Sequence, residues 1–113
     1  MKKIVYIAAP YTHPDPVSNT HDAIRVAERI IDEGFTPIIP HLCLLWHLVT
    51  PHPPEFWYAH DLEVLRRCDF LLRIGGASTG ADAEVEFARR EGIPVFFSIN
   101  EIKEFVNTER PKA

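Results

Sequence analysis

From Asp69 to Ile99 the chain reads DFLLRIGGASTGADAEVEFARREGIPVFFSI, and this stretch decides the fold. Asp69 to Ile74 is a short strand-forming run, and Gly75-Gly76-Ala77-Ser78-Thr79-Gly80 is a glycine-rich turn. Ala81 to Glu91 is a helix that Gly92 ends, and Ile93 to Ile99 is a further strand. A strand, a helix and a strand joined by short connections imply a right-handed crossover and parallel pairing.

The same alternation extends toward the amino terminus. Lys3 to Ala9 is a β-rich run apolar at consecutive positions, the pattern of a strand covered on both faces, and Pro10 ends it. Tyr11 to Asn19 contains Pro14, Asp15 and Pro16 and reads as a loop, with Asn19 or Thr20 as the cap of the next helix. In that helix Ala23, Val26, Ala27, Ile30 and Ile31 recur at three- and four-residue spacing, and Gly34 stops it. Phe35 to Ile39 is the second strand, closed by Pro40. His41 to Pro54 has no clean period and is expected to be an ordered, partly helical loop. Pro53-Pro54 opens a helix to about Cys68, because proline is tolerated in a first turn, and a short helix from about Asn100 to Asn107 finishes the chain. The expected fold is α/β, a single domain over residues 1–113. It is a doubly wound, flavodoxin- or Rossmann-like three-layer sandwich on a parallel sheet of four to five strands. In such sheets ligands bind beyond the carboxyl ends of the strands, which places the loops after Ala9, Ile39, Ile74 and Ile99 around any site.

Composition bounds the function. The 113 residues are 46% hydrophobic and 25% charged, enough for one core without a disulfide or structural metal. Twelve Lys/Arg against sixteen Asp/Glu give a net charge of −4 with no basic run, so a nucleic-acid polymer has no electrostatic footprint here. No apolar run approaches the ~20 residues of a membrane span, so no membrane partner is expected. Cys43 and Cys68 are isolated, as suits a reducing compartment, and a cytoplasmic location is expected.

Two acids stand out by helical phase. At about 100° per residue, Glu84 points with Ala81, Phe87 and Ala88 toward the sheet, while Asp82, Glu86 and Arg89 lie on the wet face and Glu86 can pair with Arg90. Such a carboxylate is either held by backbone N–H groups near a helix start or is there to react. Asp61 likewise shares a face with Val64, Leu65 and Cys68. Two inward acids on consecutive helices near strand ends raise acid/base or nucleophilic chemistry as a function. Asp69 lies at the amino edge of the sheet and reads as a link to a backbone donor.

The turn Gly75 to Gly80 can cradle an anion with backbone N–H groups and the hydroxyls of Ser78 and Thr79, or it is a plain turn with a serine cap. It matches neither the dinucleotide nor the phosphate-loop motif. Six histidines, with His41, Cys43 and His47 close in sequence, show no i, i+4 pair with a partnering glutamate, so neither a metal site nor any cofactor is expected. Tyr6, Tyr11, Trp46, Trp57 and Tyr58 are flat rings that either fill core and rim or stack on a planar ligand.

Three runs carry a resemblance: Val5-Tyr6-Ile7-Ala8-Ala9-Pro10-Tyr11, Asp61 to Asp69, and Ser78-Thr79-Gly80-Ala81-Asp82-Ala83-Glu84-Val85-Glu86-Phe87-Ala88 followed by Gly-Ile-Pro-Val. Together they resemble the nucleoside 2-deoxyribosyltransferase-like superfamily, which includes 2'-deoxynucleoside 5'-phosphate N-hydrolases. The resemblance runs from the first to the fourth strand and leaves His41 to Pro54 and the tail after Ile99 unmatched. It implies that Glu84 is a nucleophile attacking the anomeric carbon of a 2-deoxyribosyl group, that Tyr6 orients it, and that Asp61 serves the departing or entering base. It further implies that Tyr11 packs against the base and that Ala8, Pro10, Ser78, Thr79 and Gly80 contribute to substrate binding; Trp46, outside the matched runs, is a substrate-binding candidate only as a flat ring able to stack on a planar ligand. Serine at position 78, where free-nucleoside transferases often carry an acid, tilts the substrate toward a 5'-phosphate. The implied partner is a small deoxynucleoside or deoxynucleotide, and the implied assembly is a homo-oligomer, with Asn100 or Asn107 in the place of a neighbour's contribution. Transferase and hydrolase both remain open. So does the alternative of a catalytically inactive nucleotide-binding or sensing module, motivated by the two unmatched segments. A phosphoacceptor receiver is disfavoured, because Asp69 starts its strand and no lysine ends the last one.

Overall fold

The structure is a computed structural model that describes residues 1–109; the last four residues of the expected 1–113 domain lie outside the described residues. The elements run β1 (Ile4–Ala8), α1 (Pro16–Asp32), β2 (Thr36–Ile38), a 3-10 turn (Pro40–Leu42), α2 (Cys43–Val49), α3 (Pro54–Leu65), β3 (Phe70–Arg73), α4 (Thr79–Arg90), β4 (Val95–Phe96) and α5 (Ile99–Glu109). All strand pairs are parallel, in the order β2-β1-β3-β4, and helices cover both faces. This is the α/β, four-stranded form of the sandwich expected from the sequence.

Strand alternation sorts the core into two halves. Val5 and Ile7 of β1 and Phe70 and Leu72 of β3 pack against Ala23, Ala27 and Ile30 of α1 and Ile102 of α5. Tyr6 and Ala8 of β1 and Leu71 of β3 face the other way, against Leu65 of α3 and Ala81, Val85 and Ala88 of α4. The order of the strands reverses between β1 and β3, and their carboxyl ends, the edge at which sheets of this kind bind ligands, lie beside Pro10 and the turn after Arg73. Gly75 is needed there: its φ is +80°, and a Cβ would come within 2.6 Å of Pro10 Cδ.

Several boundaries differ from expectation. Helix α1 starts at Pro16, not after Asn19, because Asp15 caps it by accepting from Ser18 N at 2.8 Å and proline fits the first helical position. Asn19, inside the helix, instead donates to the carbonyls of Tyr11 and His13. Helix α3 ends at Leu65, and β4 is only Val95–Phe96, with Ser98 turning the chain into α5 through a bond from Glu101 N. The stretch after β2 is more regular than a partly helical loop, forming the 3-10 turn and then α2, none of whose residues is buried. Glu86 pairs with Arg89 rather than Arg90. Asp69 accepts from Ile4 N at 2.8 Å, the backbone link read from its position. Cys43 and Cys68 are free, and no helix among the described residues is long and apolar enough to cross a membrane.

Candidate active site

Glu84 sits in the second turn of α4, on the side that faces the sheet, and is 8% exposed. Tyr6, fully buried, projects from the middle of β1 toward that helix, and its hydroxyl donates to Glu84 Oε2. Among the described residues no backbone N–H holds the carboxylate, as one sequence reading allowed; its hydrogen bond comes from a side chain 78 positions away. Asp61, half-buried on α3, completes the group, and its charge is felt by both Tyr6 and Glu84.

Burial governs the protonation of all three. It pushes the Glu84 carboxyl up to about 7; Tyr6's hydrogen bond opposes that rise, Asp61's charge adds to it and the Arg73 guanidinium opposes it. Burial alone raises the Asp61 carboxyl to about 7. The Tyr6 phenol is raised by burial and then by the charge of Glu84, so it stays protonated and acts as the donor. A carboxylate with one fixed donor, beside a second carboxyl group, is an arrangement able to act as nucleophile and acid/base pair.

The remaining predicted positions each have local partners of their own. Ala8 is buried two residues beyond Tyr6 on the same face of β1. The Pro10 carbonyl receives Nε2 of the buried His41 at 2.9 Å, and Tyr11 lies edge-on to that ring at 5.5 Å. Ser78 caps α4 by accepting from Ala81 N at 3.1 Å, with Thr79 and Gly80 exposed in the first turn. Trp46 is half exposed on α2 and leans edge-on against Trp57 at 5.3 Å and His60 at 5.7 Å, on the Asp61 side. Two grooves, of about 290 and 640 Å³, lie elsewhere. One is lined by Ile4, Ile38, His60 and Cys68 and the other by Arg73, Gly76, Asp82 and Phe97, and neither includes Tyr6 or Glu84.

Sequence reasoning missed Arg73. Only 9% exposed, it reaches from the end of β3 to the carbonyls of Ile74 and Gly76 and to Asp82 Oδ1 at 3.2 Å, tying the glycine turn to α4 and setting a positive charge near Glu84. The signal was a cation inside the apolar run Phe70 to Ile74, in phase with Leu71 on the α4 side. His41 was grouped with Cys43 and His47 by proximity in sequence, but the structure uses it to hold Pro10.

The family profile described as Domain of unknown function (DUF7768) matches residues 3–98. The chain belongs to the DUF7768 family. The match runs from the start of β1 past β4, so Tyr6, Asp61 and Glu84 all lie within the DUF7768 region. Among solved structures, this DUF7768 chain is similar to a 2-deoxyribosyltransferase from the psychrotolerant bacterium Bacillus psychrosaccharolyticus, with 20% identity and a TM-score of 0.59 over 81% of this chain and 69% of that one. It is also similar to a 2-desoxiribosyltransferase from Leishmania mexicana, with 19% identity and a TM-score of 0.60 over 82% of this chain. The DUF7768 chain spans 61% of the length of the latter. At these identities the likeness shows a shared fold. No curated protein matches the chain.

Proposed function

We propose that this DUF7768 protein cleaves or transfers the N-glycosidic bond of 2'-deoxynucleosides or their 5'-monophosphates, through a covalent glutamyl 2-deoxyribosyl intermediate. The observation that carries this reading is the buried hydrogen bond from Tyr6 to Glu84, within reach of the charge of Asp61, on the face of the sheet covered by α3 and α4. The fold it shares with two 2-deoxyribosyltransferases supports the same reading.

The ionised Glu84 attacks the anomeric carbon of the sugar. A C–O bond forms, the C–N bond breaks, and its electron pair leaves with the base nitrogen, which receives a proton from Asp61. Tyr6 holds the attacking oxygen in line. In the second half a water or another base attacks the same carbon, gives its proton to Asp61 and releases the Glu84 carboxylate, so two inversions retain the configuration. Pro10, Tyr11 and Trp46 form the wall for the base, and Ser78, Thr79 and Gly80 lie at the helix start that suits a 5'-phosphate. Asp61 is half-buried and no residue of α2 is fully buried, which fits a homo-oligomer in which a second copy covers this side.

The test is incubation with deoxynucleosides and deoxynucleoside monophosphates, with and without a second base, followed by chromatography of free base. Glu84→Ala should reduce base release by about three orders of magnitude or more. Release only in the presence of an acceptor base identifies a transferase, and release in water a hydrolase. Undiminished release in Glu84→Ala sinks the assignment, and tight binding of a nucleotide with no turnover favours a binding module.

A further inference from the structure

We propose that Cys43, His60 and Asp61 form a binding site for a borderline-soft divalent transition-metal ion, Zn2+ foremost, at the side of the cleft where the base would sit. Cys43 begins α2 and the other two are adjacent on α3, so spacing along the chain does not reveal the group. In the fold, one sulfur, one ring nitrogen and one carboxylate oxygen lie within 4.8 Å of one another, each from a half-buried residue. Tetrahedral zinc, with bonds of about 2.0 to 2.3 Å, sets its ligand atoms roughly 3.5 Å apart. Rotations that move each terminal atom by about an ångström therefore close the three around an ion.

The donor set selects the ion. A thiolate, an imidazole and a carboxylate suit zinc and its neighbours, whereas magnesium and calcium require oxygen ligands. The ligand atoms are also unclaimed: among the described residues none of the three side chains makes a hydrogen bond or salt bridge. Of the neighbouring histidines, His41 is turned to the Pro10 carbonyl through Nε2, leaving its buried Nδ1 without a partner among the described residues, and His47 Nδ1 accepts from Trp57 Nε1 at 2.8 Å; neither belongs to the cluster of three. Around His60 stand Trp46 and Trp57, edge-on at 5.7 and 5.8 Å, and Phe56, stacked at 6.2 Å, which restrict its ring. Three protein ligands leave a fourth position for water, and binding releases the thiol proton of Cys43 to solvent.

The consequence for activity rests on the function proposed above: a carboxylate bound to the ion cannot pass a proton to or from the base, so the ion switches base release off. The full chain, reduced and freed of metal with a chelator, is titrated with Co2+ and then with Zn2+ in competition. One equivalent of cobalt should give a thiolate charge-transfer band in the near ultraviolet and visible bands of four-coordinate cobalt, all removed by zinc. Cys43→Ser should lose the near-ultraviolet band, His60→Ala should bind at least tenfold more weakly, and His21→Ala, on the exposed side of α1, should match the parent. Circular dichroism checks that each variant is folded. A spectrum without the thiolate band, or undiminished affinity in both Cys43→Ser and His60→Ala, overturns the site. Saturating zinc should stop base release in the parent and not in Cys43→Ser; full activity in the zinc-loaded parent overturns the link to Asp61. If no deoxynucleoside is cleaved, the enzymatic reading fails while the cobalt spectrum still decides the metal site.

Discussion

The two faces of the sheet receive the same strands and yet differ in kind. Toward α1 and α5, the side chains of β1 and β3 meet only aliphatic and aromatic partners: Val5, Ile7, Phe70 and Leu72 against Ala23, Ala27, Ile30 and Ile102. Toward α3 and α4, the alternate positions of those strands are Tyr6, Ala8, Leu71 and Arg73, and buried among them is Glu84. One face therefore stabilises the fold by burial of apolar area. The other gives up part of that stabilisation to keep a carboxylate, a phenol and a guanidinium out of water, each fastened to a partner. Strained or costly chemistry on one side of a sheet is tolerable because the opposite side is made entirely of packing.

That contrast can be broken or sharpened by substitution. The largest stability effect belongs to the apolar face: Ile30→Ala should lower unfolding free energy by about 2 to 5 kcal/mol in urea denaturation while base release per folded molecule is unchanged. A drop in the specific activity of the folded fraction would show that the two faces are coupled. On the polar face the sign reverses. The Glu84 carboxyl titrates near 4.5 when unfolded and near 7 when folded, so the native state holds its proton longer and stability falls as pH rises across that window. Glu84→Gln removes this penalty. It should therefore be more stable than the parent by about 3 kcal/mol at pH 8 and lose that advantage below about pH 4.5. An offset of equal size at pH 8 and pH 4 would mean that burial of the charge is not what the polar face gives up.

Tyr6→Phe tests the fastening itself. Without the donor, the Glu84 carboxyl rises further, since the hydrogen bond is a force holding it down. The acidic limb of the pH–rate profile should move to higher pH, and activity at pH 7 should fall by about tenfold or more. A profile that keeps its acidic limb in place would assign that limb to another group. The smallest effect is expected of Asp82→Asn. The partner Arg73 is buried, but the Asp82 side chain is 70% exposed, so the change should cost under about 1 kcal/mol by thermal melting.

Much of this was legible before any coordinates. The phase of α4 alone turned Glu84 inward, and that of α3 did the same for Asp61, because a helix repeats every 3.6 residues whatever it packs against. A link from Asp69 to some backbone donor followed from its place at the amino edge of the sheet, and the structure identifies that donor as Ile4 N. Other features were not legible for identifiable reasons. Asp15 and Asn19 are both good caps, and only the tolerance of Pro16 at the first helical position separates them. The regularity of α2 left no period because all of its residues are at least partly exposed. Arg73 drew no reading from the sequence, because the turn carbonyls it satisfies are brought to it only by the fold.

By itself the chain determined the order of strands and helices and which side chains each one turns inward, because both follow from local periodicity and the partition of apolar groups away from water. Which inward groups meet was decided by the tertiary structure. The strand order β2-β1-β3-β4 lays β1 beside β3, and so brings Tyr6 under α4 and onto Glu84. The packing of α2 near α3 likewise sets Cys43 against His60 and Asp61. Contacts of that kind depend on how whole elements pack in space, and no spacing along the sequence encodes them.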